Sequence, residues 1–184
     1  MVEVELKIPV EGLDAVRRAL ERLGARLELS AMREVNVLFD AEDGRIERGG
    51  GALRLRRHGG RWTLTLKGPP RFDGGVKTRA EHETGVADGA AMERILEGLG
   101  YRPRLRYEKD RELWRLGEVE VALDRTPMGD FVELEGERAA ILELARRLGL
   151  DPGGAVRGSY PTLWEAYRRA HPGLELPRDM VFPE

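Results

Sequence analysis

Residues 2–8, VEVELKI, decide which fold this sequence predicts. Glu3, Glu5 and Lys7 alternate there with aliphatic residues. Because successive side chains of a β-strand point to opposite faces, two carboxylates and an ammonium group share one face. The aliphatic residues form the other face. The fold therefore depends on which of these two faces is turned inward.

The same alternation recurs along the chain and predicts about eight strands. Many of them are joined by turns that contain Gly or Pro, such as RHGGR and RTPMGD. The predicted strands are residues 2–8, 33–39, 52–57, 61–67, 76–84, 105–115, 118–124 and 131–136.

Helical periodicity separates some of these strands. Three amphipathic segments, residues 11–24, 88–100 and 137–149, end in Leu-Gly, which is typical of a glycine C-cap. A fourth helix is predicted to begin near Ser159, which would be its N-cap. We expect one domain over residues 1–170 and an irregular C-terminal tail over residues 171–184.

The charged strand faces indicate how these elements pack. A single amphipathic strand is most simply explained by a solvated outer face. Here, charged pairs at positions i and i+2 recur on most strands, and the amphipathic helices can cover the apolar faces. Eight strands can close into a barrel, and the charged faces would then line its interior. We therefore expect an α+β fold, an eight-stranded antiparallel β-barrel tunnel with helices packed outside.

Charges enclosed in this way must pair, stay hydrated or bind a ligand of opposite charge. Carboxylates offer the hard oxygen ligands that suit Mg²⁺ or Mn²⁺. Lysine and arginine offer donors that suit phosphate oxygens. A chain of phosphates together with a divalent metal satisfies both groups. The acidic candidates are Glu3, Glu5, Asp124, Glu133 and Glu135, and the basic candidates are Lys7, Arg54, Arg56, Lys67, Arg79, Lys109 and Arg111.

Composition narrows the alternatives. The 184 residues carry a formal net charge of -2, so no bulk charge favours nucleic acid or an anionic membrane as partner. The absence of cysteine excludes disulfides, a thiolate nucleophile and a cysteine-based metal site. No apolar run is long enough for a membrane span or a signal peptide. We expect a cytoplasmic protein.

An ordered series of motifs resembles the CYTH superfamily, the triphosphate tunnel metalloenzymes. The series is VEVELK, LRLR, LTLKGP, RAEHE, YEKDRE and VALDRTPMGDFVELEG, and it extends to RGSYPTLW near residue 164. The resemblance implies the barrel tunnel. It also implies that Glu3, Glu5, Glu133, Glu135 and Asp124 bind metal and that the seven basic candidates hold phosphates, with Arg157 as a further contact. Lys7, Arg54, Arg56 and Lys109 are the expected catalytic residues, whereas Glu81 and Glu83 could either serve a metal or orient the basic residues.

Members of this superfamily convert ATP to cyclic AMP, hydrolyse thiamine triphosphate or hydrolyse inorganic triphosphate. The segments LGYRPRLRYEKDRE and LDRTPMGDFVELEG look most like the class IV adenylate cyclase branch. The leading hypothesis is therefore a metal-dependent, cyclase-like enzyme that acts on a triphosphate. The alternatives are a thiamine or inorganic triphosphatase and a non-catalytic binder of polyphosphate or nucleotides. The resemblance is compatible with a homodimer, but the sequence marks no interface.

Overall fold

The computed structural model describes residues 2–183, which form nine strands and five α-helices. None of these helices is long and apolar enough to cross a lipid bilayer. The strands are β1 (Val2–Val10), β2 (Arg26–Ala41), β3 (Ala52–His58), β4 (Arg61–Lys67), β5 (Arg71–Asp73), β6 (Val76–Val86), β7 (Tyr101–Leu116), β8 (Val119–Thr126) and β9 (Gly129–Glu135). The helices are α1 (Asp14–Arg22), α2 (Arg45–Arg48), α3 (Gly89–Gly98), α4 (Arg138–Arg147) and α5 (Tyr160–Ala170).

Eight of these strands close into an antiparallel barrel. Their order around it is β1, β9, β8, β7, β2, β3, β4 and β6, and β6 pairs back with β1. The short strand β5 pairs with β6 beside the β1 contact. The predicted α+β fold, an eight-stranded barrel with helices packed outside, is confirmed.

The apolar face of β1, β8 and β9 points outward and is covered by α1 and α4. Leu6, Val121 and Leu134 of these strands are fully buried in one cluster with Leu20 of α1 and Ile141 of α4. Because this outer face is occupied by hydrophobic residues, the intervening charged residues must point into the barrel. The helices thus determine the character of the interior.

A second cluster covers β2, β3 and β4. Phe39 and Leu55 pack there with Leu96 of α3, and Ile46 of α2 lies at its edge. The side chain of Asp40 accepts hydrogen bonds from the backbone N–H groups of Ile46 (3.0 Å) and Glu47 (2.9 Å). These two bonds fix the short helix α2 on the barrel. The sequence of α2 has no helical periodicity from which the helix could be predicted.

A third cluster lies at one end of the barrel. Tyr107 and Phe131, which share the phase of the inward charged residues on β7 and β9, pack with Tyr160 and Trp164 of α5 and with Met180. The backbone of Met180 also exchanges hydrogen bonds with β7, donating to the carbonyl of residue 106 (3.0 Å) and accepting from the N–H of residue 108 (2.8 Å). Helix α5 and the segment after it therefore close this end. The predicted domain boundary at residue 170 stays a prediction.

Two strands begin well before the predicted residue. Strand β2 begins at Arg26 instead of residue 33; its first half is mostly exposed, and its register with β7 shifts between Leu27 and Met32. Bulges of this kind break the alternation on which the prediction rests. Strand β7 likewise begins at Tyr101 instead of residue 105.

The contact between Gly89 and Trp62 gives a test of this packing. A Cβ atom on Gly89, the first residue of α3, would lie 2.2 Å from the indole ring of Trp62. We expect Gly89→Ala to lower the free energy of unfolding by about 1–3 kcal/mol because the ring has to move. Gly98→Ala, in the same helix with nothing within 4 Å of the added atom, should be neutral or slightly stabilising. Urea unfolding of both variants checks this, and equal effects would contradict it.

Candidate active site

The barrel encloses a cavity of about 1710 Å³, lined by charged residues from all eight strands. Every predicted basic residue lines it, as do all the predicted acidic residues except one. The exception, Asp124, is fully buried and binds two of the lining residues, Lys109 and Arg111. The lining residues among those predicted are Glu3, Glu5, Lys7, Arg54, Arg56, Lys67, Arg79, Lys109, Arg111, Glu133, Glu135 and Arg157.

Lys7 lies near the centre of this lining and is paired across strands. Its Nζ is 3.0 Å from Glu133 of the neighbouring β9 and 3.2 Å from Glu5 of its own strand. Burial alone would lower the pKa of Lys7, but Glu133 and Glu5 raise it well above its usual value. The ammonium group therefore stays charged. Two carboxylates hold it in the cavity, where an anion could take their place.

Asp124 gathers three donors at one buried point. Its carboxylate accepts hydrogen bonds from Arg111 Nε (2.7 Å), Lys109 Nζ (3.0 Å) and the hydroxyl of Tyr160 (2.6 Å). Arg111 Nη2 makes a second bond to the carboxylate and also contacts Glu133. In this arrangement Asp124 orients the basic residues, and its predicted role as a metal ligand stays a prediction.

The two arginines of β3 are held along the next part of the wall. Arg54 Nη2 is 3.4 Å from the Thr65 hydroxyl, and Arg56 Nε is 3.1 Å from the Thr63 hydroxyl, both on β4. Glu83 accepts from Arg56 at 3.3 Å and lies 3.6 Å from Arg54. Glu83 thus orients the two guanidinium groups in this structure.

Three other predicted phosphate contacts are held differently. Arg79 donates to the backbone carbonyls of Gly68 and Gly50. Lys67 pairs with Glu81 and lies 3.5 Å from Glu3. Arg157 is exposed in the segment before α5, at the edge of the cavity.

Three carboxylates stand side by side without a basic residue between them. Glu5 of β1 faces Glu135 of β9, which in turn faces Glu120 of β8. Partial burial, together with Glu3, Glu120 and Glu5, raises the pKa of Glu135 to about 7. Like charges placed directly opposite each other on neighbouring strands are destabilising. Glu3, Glu5, Glu120 and Glu135 form an acidic wall. Glu3, Glu5 and Glu120 each lie within 4 Å of a lysine or arginine, whereas no ion pair within residues 2–183 includes Glu135.

Glu3 and Glu81 complete this region. Burial acts to raise the pKa of Glu3, but Lys67, a hydrogen bond with Glu81 and Lys77 lower it to about 2. Burial and the same bond to Glu3 raise the pKa of Glu81. Glu81 thus interacts with Glu3 through this bond, and it also pairs with Lys67.

Three residues of the site were missed by the sequence analysis. Lys77 lies 3.3 Å from Glu3 and also binds Glu5. Glu34 is fully buried 3.6 Å from Lys109, and the cations Lys109 and Arg111 hold its pKa well below the usual range although burial opposes them. Tyr160 reaches the lysines from α5. Lys77 and Glu34 share the inward phase of their strands, so the alternation could have found them.

The acidic wall has the chemistry of a divalent metal site. Four oxygen-bearing side chains with one raised pKa are the type of donor set that Mg²⁺ or Mn²⁺ prefers. In residues 2–183, no three such groups are already gathered around one point. Lys7 and Lys77 lie on Glu5, and Lys67 and Lys77 lie near Glu3. A metal would therefore compete with these lysines for the same oxygens.

Comparison with known proteins identifies the family. A family description named CYTH domain matches residues 1–155. The chain belongs to the CYTH domain family. Two curated relatives are each 29% identical to it: "Putative adenylate cyclase MJ0240" of Methanocaldococcus jannaschii, with 87% of this chain and 97% of the relative covered, and "Adenylate cyclase CyaB" of Aeromonas hydrophila, with 89% and 88% covered.

Solved structures show the same fold for this CYTH domain protein. A protein of Vibrio parahaemolyticus superposes with a TM-score of 0.81 at 22% identity, covering 90% of this chain and 98% of its own. HpAC1 from Hippeastrum superposes with a TM-score of 0.65 at 18% identity, covering 97% and 100%, and is described as having a dominant triphosphatase activity. Both proteins are similar to this chain in fold alone.

The raised pKa of Glu135 predicts how stability depends on pH. The folded state keeps this proton up to about pH 7, whereas the unfolded state releases it near 4.5, so stability falls as the pH rises between these values. We expect Glu135→Gln, measured with EDTA, to raise Tm by about 2–4 °C at pH 8 and to have little effect below pH 4.5.

Exposed Glu97 of α3 offers a control with the same change of charge. Glu97→Gln should leave Tm unchanged at both pH values. Mg²⁺ or Mn²⁺ should raise Tm of the wild type at pH 8 more than that of Glu135→Gln. A destabilised Glu135→Gln at pH 8 would be inconsistent with repulsion between Glu135 and the neighbouring carboxylates.

Proposed function

We propose that this CYTH domain protein is a divalent-metal-dependent enzyme that acts on a triphosphate inside the barrel, with conversion of ATP to cyclic AMP and pyrophosphate as its reaction. The supporting observation is the division of the tunnel lining into a basic part and an acidic wall. A basic lining alone would suit any polyanion. The acidic wall next to it suits a divalent cation that enters together with the anion.

The basic residues are suited to hold the phosphate chain. Lys7, Lys109 and Arg111 come from strands on one side of the barrel, and Arg54 and Arg56 come from the strand beyond β2. Each is paired with a carboxylate or a hydroxyl that keeps it extended into the cavity. Donors fixed before the substrate arrives stabilise the charge that develops on phosphate oxygens without a reorganisation cost.

Glu3, Glu5 and Glu135 would hold the metal, with Glu120 beside them and Glu133 as the predicted fourth ligand. A divalent ion there supplies charge neutralisation on the phosphates and lowers the pKa of a bound water or hydroxyl. When the phosphate chain binds, Lys7 and Lys77 can exchange their carboxylate partners for phosphate oxygens. The glutamates released in this exchange are the ones assigned to the metal.

Two outcomes of the reaction share this machinery. Attack by the ribose 3′-hydroxyl gives cyclic AMP, and attack by water gives hydrolysis. The names of the two curated relatives favour the cyclase. The Hippeastrum protein, which has the same fold, is described as having a dominant triphosphatase activity, so hydrolysis of thiamine triphosphate or inorganic triphosphate is the second candidate.

Product analysis decides between them. The protein is incubated with Mg²⁺ or Mn²⁺ and, in separate reactions, with ATP, thiamine triphosphate and inorganic triphosphate. We expect cyclic AMP and pyrophosphate from ATP in equal amounts. Orthophosphate release without cyclic AMP would support the triphosphatase instead. Tight binding of all three compounds without turnover would overturn both and leave a non-catalytic binding protein.

A double substitution in the acidic wall tests the metal assignment. Glu3→Gln with Glu5→Gln keeps side-chain shape and hydrogen bonding but removes two metal ligands. We expect metal-dependent turnover to fall by about 100-fold or more. Metal-free binding of tripolyphosphate should become tighter, because Lys67 and Lys77 lose competing carboxylates. Calorimetry measures this binding, and unchanged turnover would refute the metal assignment.

A further inference from the structure

Tyr160 joins the C-terminal helix to the centre of the site, although it lies beyond the residues that the family description matches. It is the first residue of α5, and its side chain is 4% exposed. The chain leading to it is anchored on β1: the N–H of Val156 donates to the backbone carbonyl of Lys7 (2.9 Å), and Lys7 Nζ lies 3.4 Å from the carbonyl of Gly158. The start of α5 is therefore fixed relative to Lys7.

The ring of Tyr160 contacts both central lysines. Its centroid is 4.2 Å from Lys7 Nζ and 4.7 Å from Lys109 Nζ. The two lysines come from β1 and β7, which are separated in the barrel by β9 and β8. An aromatic face attracts a cation through its quadrupole, and a desolvated site strengthens that attraction. One ring thus contacts two flexible side chains that also share Glu133, which lies 3.0 Å from Lys7 Nζ and 3.9 Å from Lys109 Nζ.

The hydroxyl of Tyr160 acts on a third group. It donates at 2.6 Å to Asp124 Oδ2, the same oxygen that Lys109 Nζ approaches at 3.0 Å. Burial and the charge of Asp124 raise the pKa of Tyr160 well above its usual value, so the hydroxyl stays protonated and remains a donor. Without this donor, the buried carboxylate would be one hydrogen bond short and would draw Lys109 and Arg111 towards itself.

We propose that Tyr160 is a positioning residue that sets the placement of Lys7 and Lys109 toward the phosphate chain, the ring through cation–π contacts and the hydroxyl through Asp124. The expected effect on turnover rests on the proposed function. The expected placement of the two lysines does not depend on it. Helix α5 is then a part of the catalytic machinery, in addition to closing one end of the barrel.

The lysine content of the chain allows a direct test. Only four lysines are present, Lys7, Lys67, Lys77 and Lys109. In protein carrying ¹³C-labelled lysine, we expect two of the four Hε–Cε correlations to lie upfield because of the Tyr160 ring current. Lys7→Arg and Lys109→Arg assign these two signals. The upfield positions should persist in Tyr160→Phe and disappear in Tyr160→Leu.

Turnover of the active triphosphate is measured on the same variants. We expect kcat to fall about tenfold in Tyr160→Phe and about 100-fold in Tyr160→Leu, with a smaller change in KM. Tyr167→Phe is the matched control, because Tyr167 lies on the same helix and stacks on Trp164 away from the lysines. It should keep both the wild-type lysine spectrum and the wild-type kcat.

The proposal is overturned if no pair of lysine signals is shifted, or if Tyr160→Leu loses the shifts and keeps wild-type kcat. Should Tyr160→Leu not fold, Tyr160→Phe still decides the part of the hydroxyl. If no triphosphate is turned over at all, the proposed function fails by itself. Tyr160 is then judged by the lysine spectrum and by tripolyphosphate binding, which Tyr160→Leu should weaken about tenfold.

Discussion

The structure depends on the compensation of buried charge inside a closed sheet. Helices occupy the outer faces of the strands, so the polar faces have no place except the interior. An ion that loses water without a partner costs several kcal/mol, so an inward ammonium or guanidinium group needs a carboxylate or another acceptor nearby. Lys7 with Glu133 and Arg111 with Asp124 meet this need across neighbouring strands. A register shift of one residue would turn these charges into the apolar layer under α1 and α4.

The compensation of buried charge differs along the tunnel lining, and this difference determines which ligands the tunnel can bind. Near Lys109 and Arg111, the carboxylate of Asp124 accepts hydrogen bonds from three groups. Along the acidic wall, Glu135 has no basic residue opposite it on either neighbouring strand. The acidic wall places like charges opposite each other on neighbouring strands, and these repel. Its presence beside the basic lining points to ligands that bring both signs of charge.

Much of the barrel lining could be predicted from the alternation of residues along the strands. Residues outside that pattern could not be predicted in this way. Strict alternation shows which residues share a strand face, so the inward set on β1, β3 and β9 followed directly. Glu34 was not predicted because the next residue on the same face of its strand is Asn36, which carries no charge. The role of Tyr160 was not predicted for a different reason. The direction of a side chain on a helix depends on where that helix packs. The backbone bond between Val156 and Lys7 and the edge contact with Phe131 place its ring on the lysines.

The docking of α5 connects packing to electrostatics. Its apolar side chains exclude water from the end of the barrel where Tyr107, Phe131 and Trp164 meet. Exclusion of water lowers the local dielectric constant, which strengthens each contact among Lys7, Lys109 and the acids around them. Glu135, farther along β9 from Phe131, is exposed to solvent. The end closed by α5 therefore fixes donors rigidly, whereas Glu135 has no basic residue opposite it on the neighbouring strands.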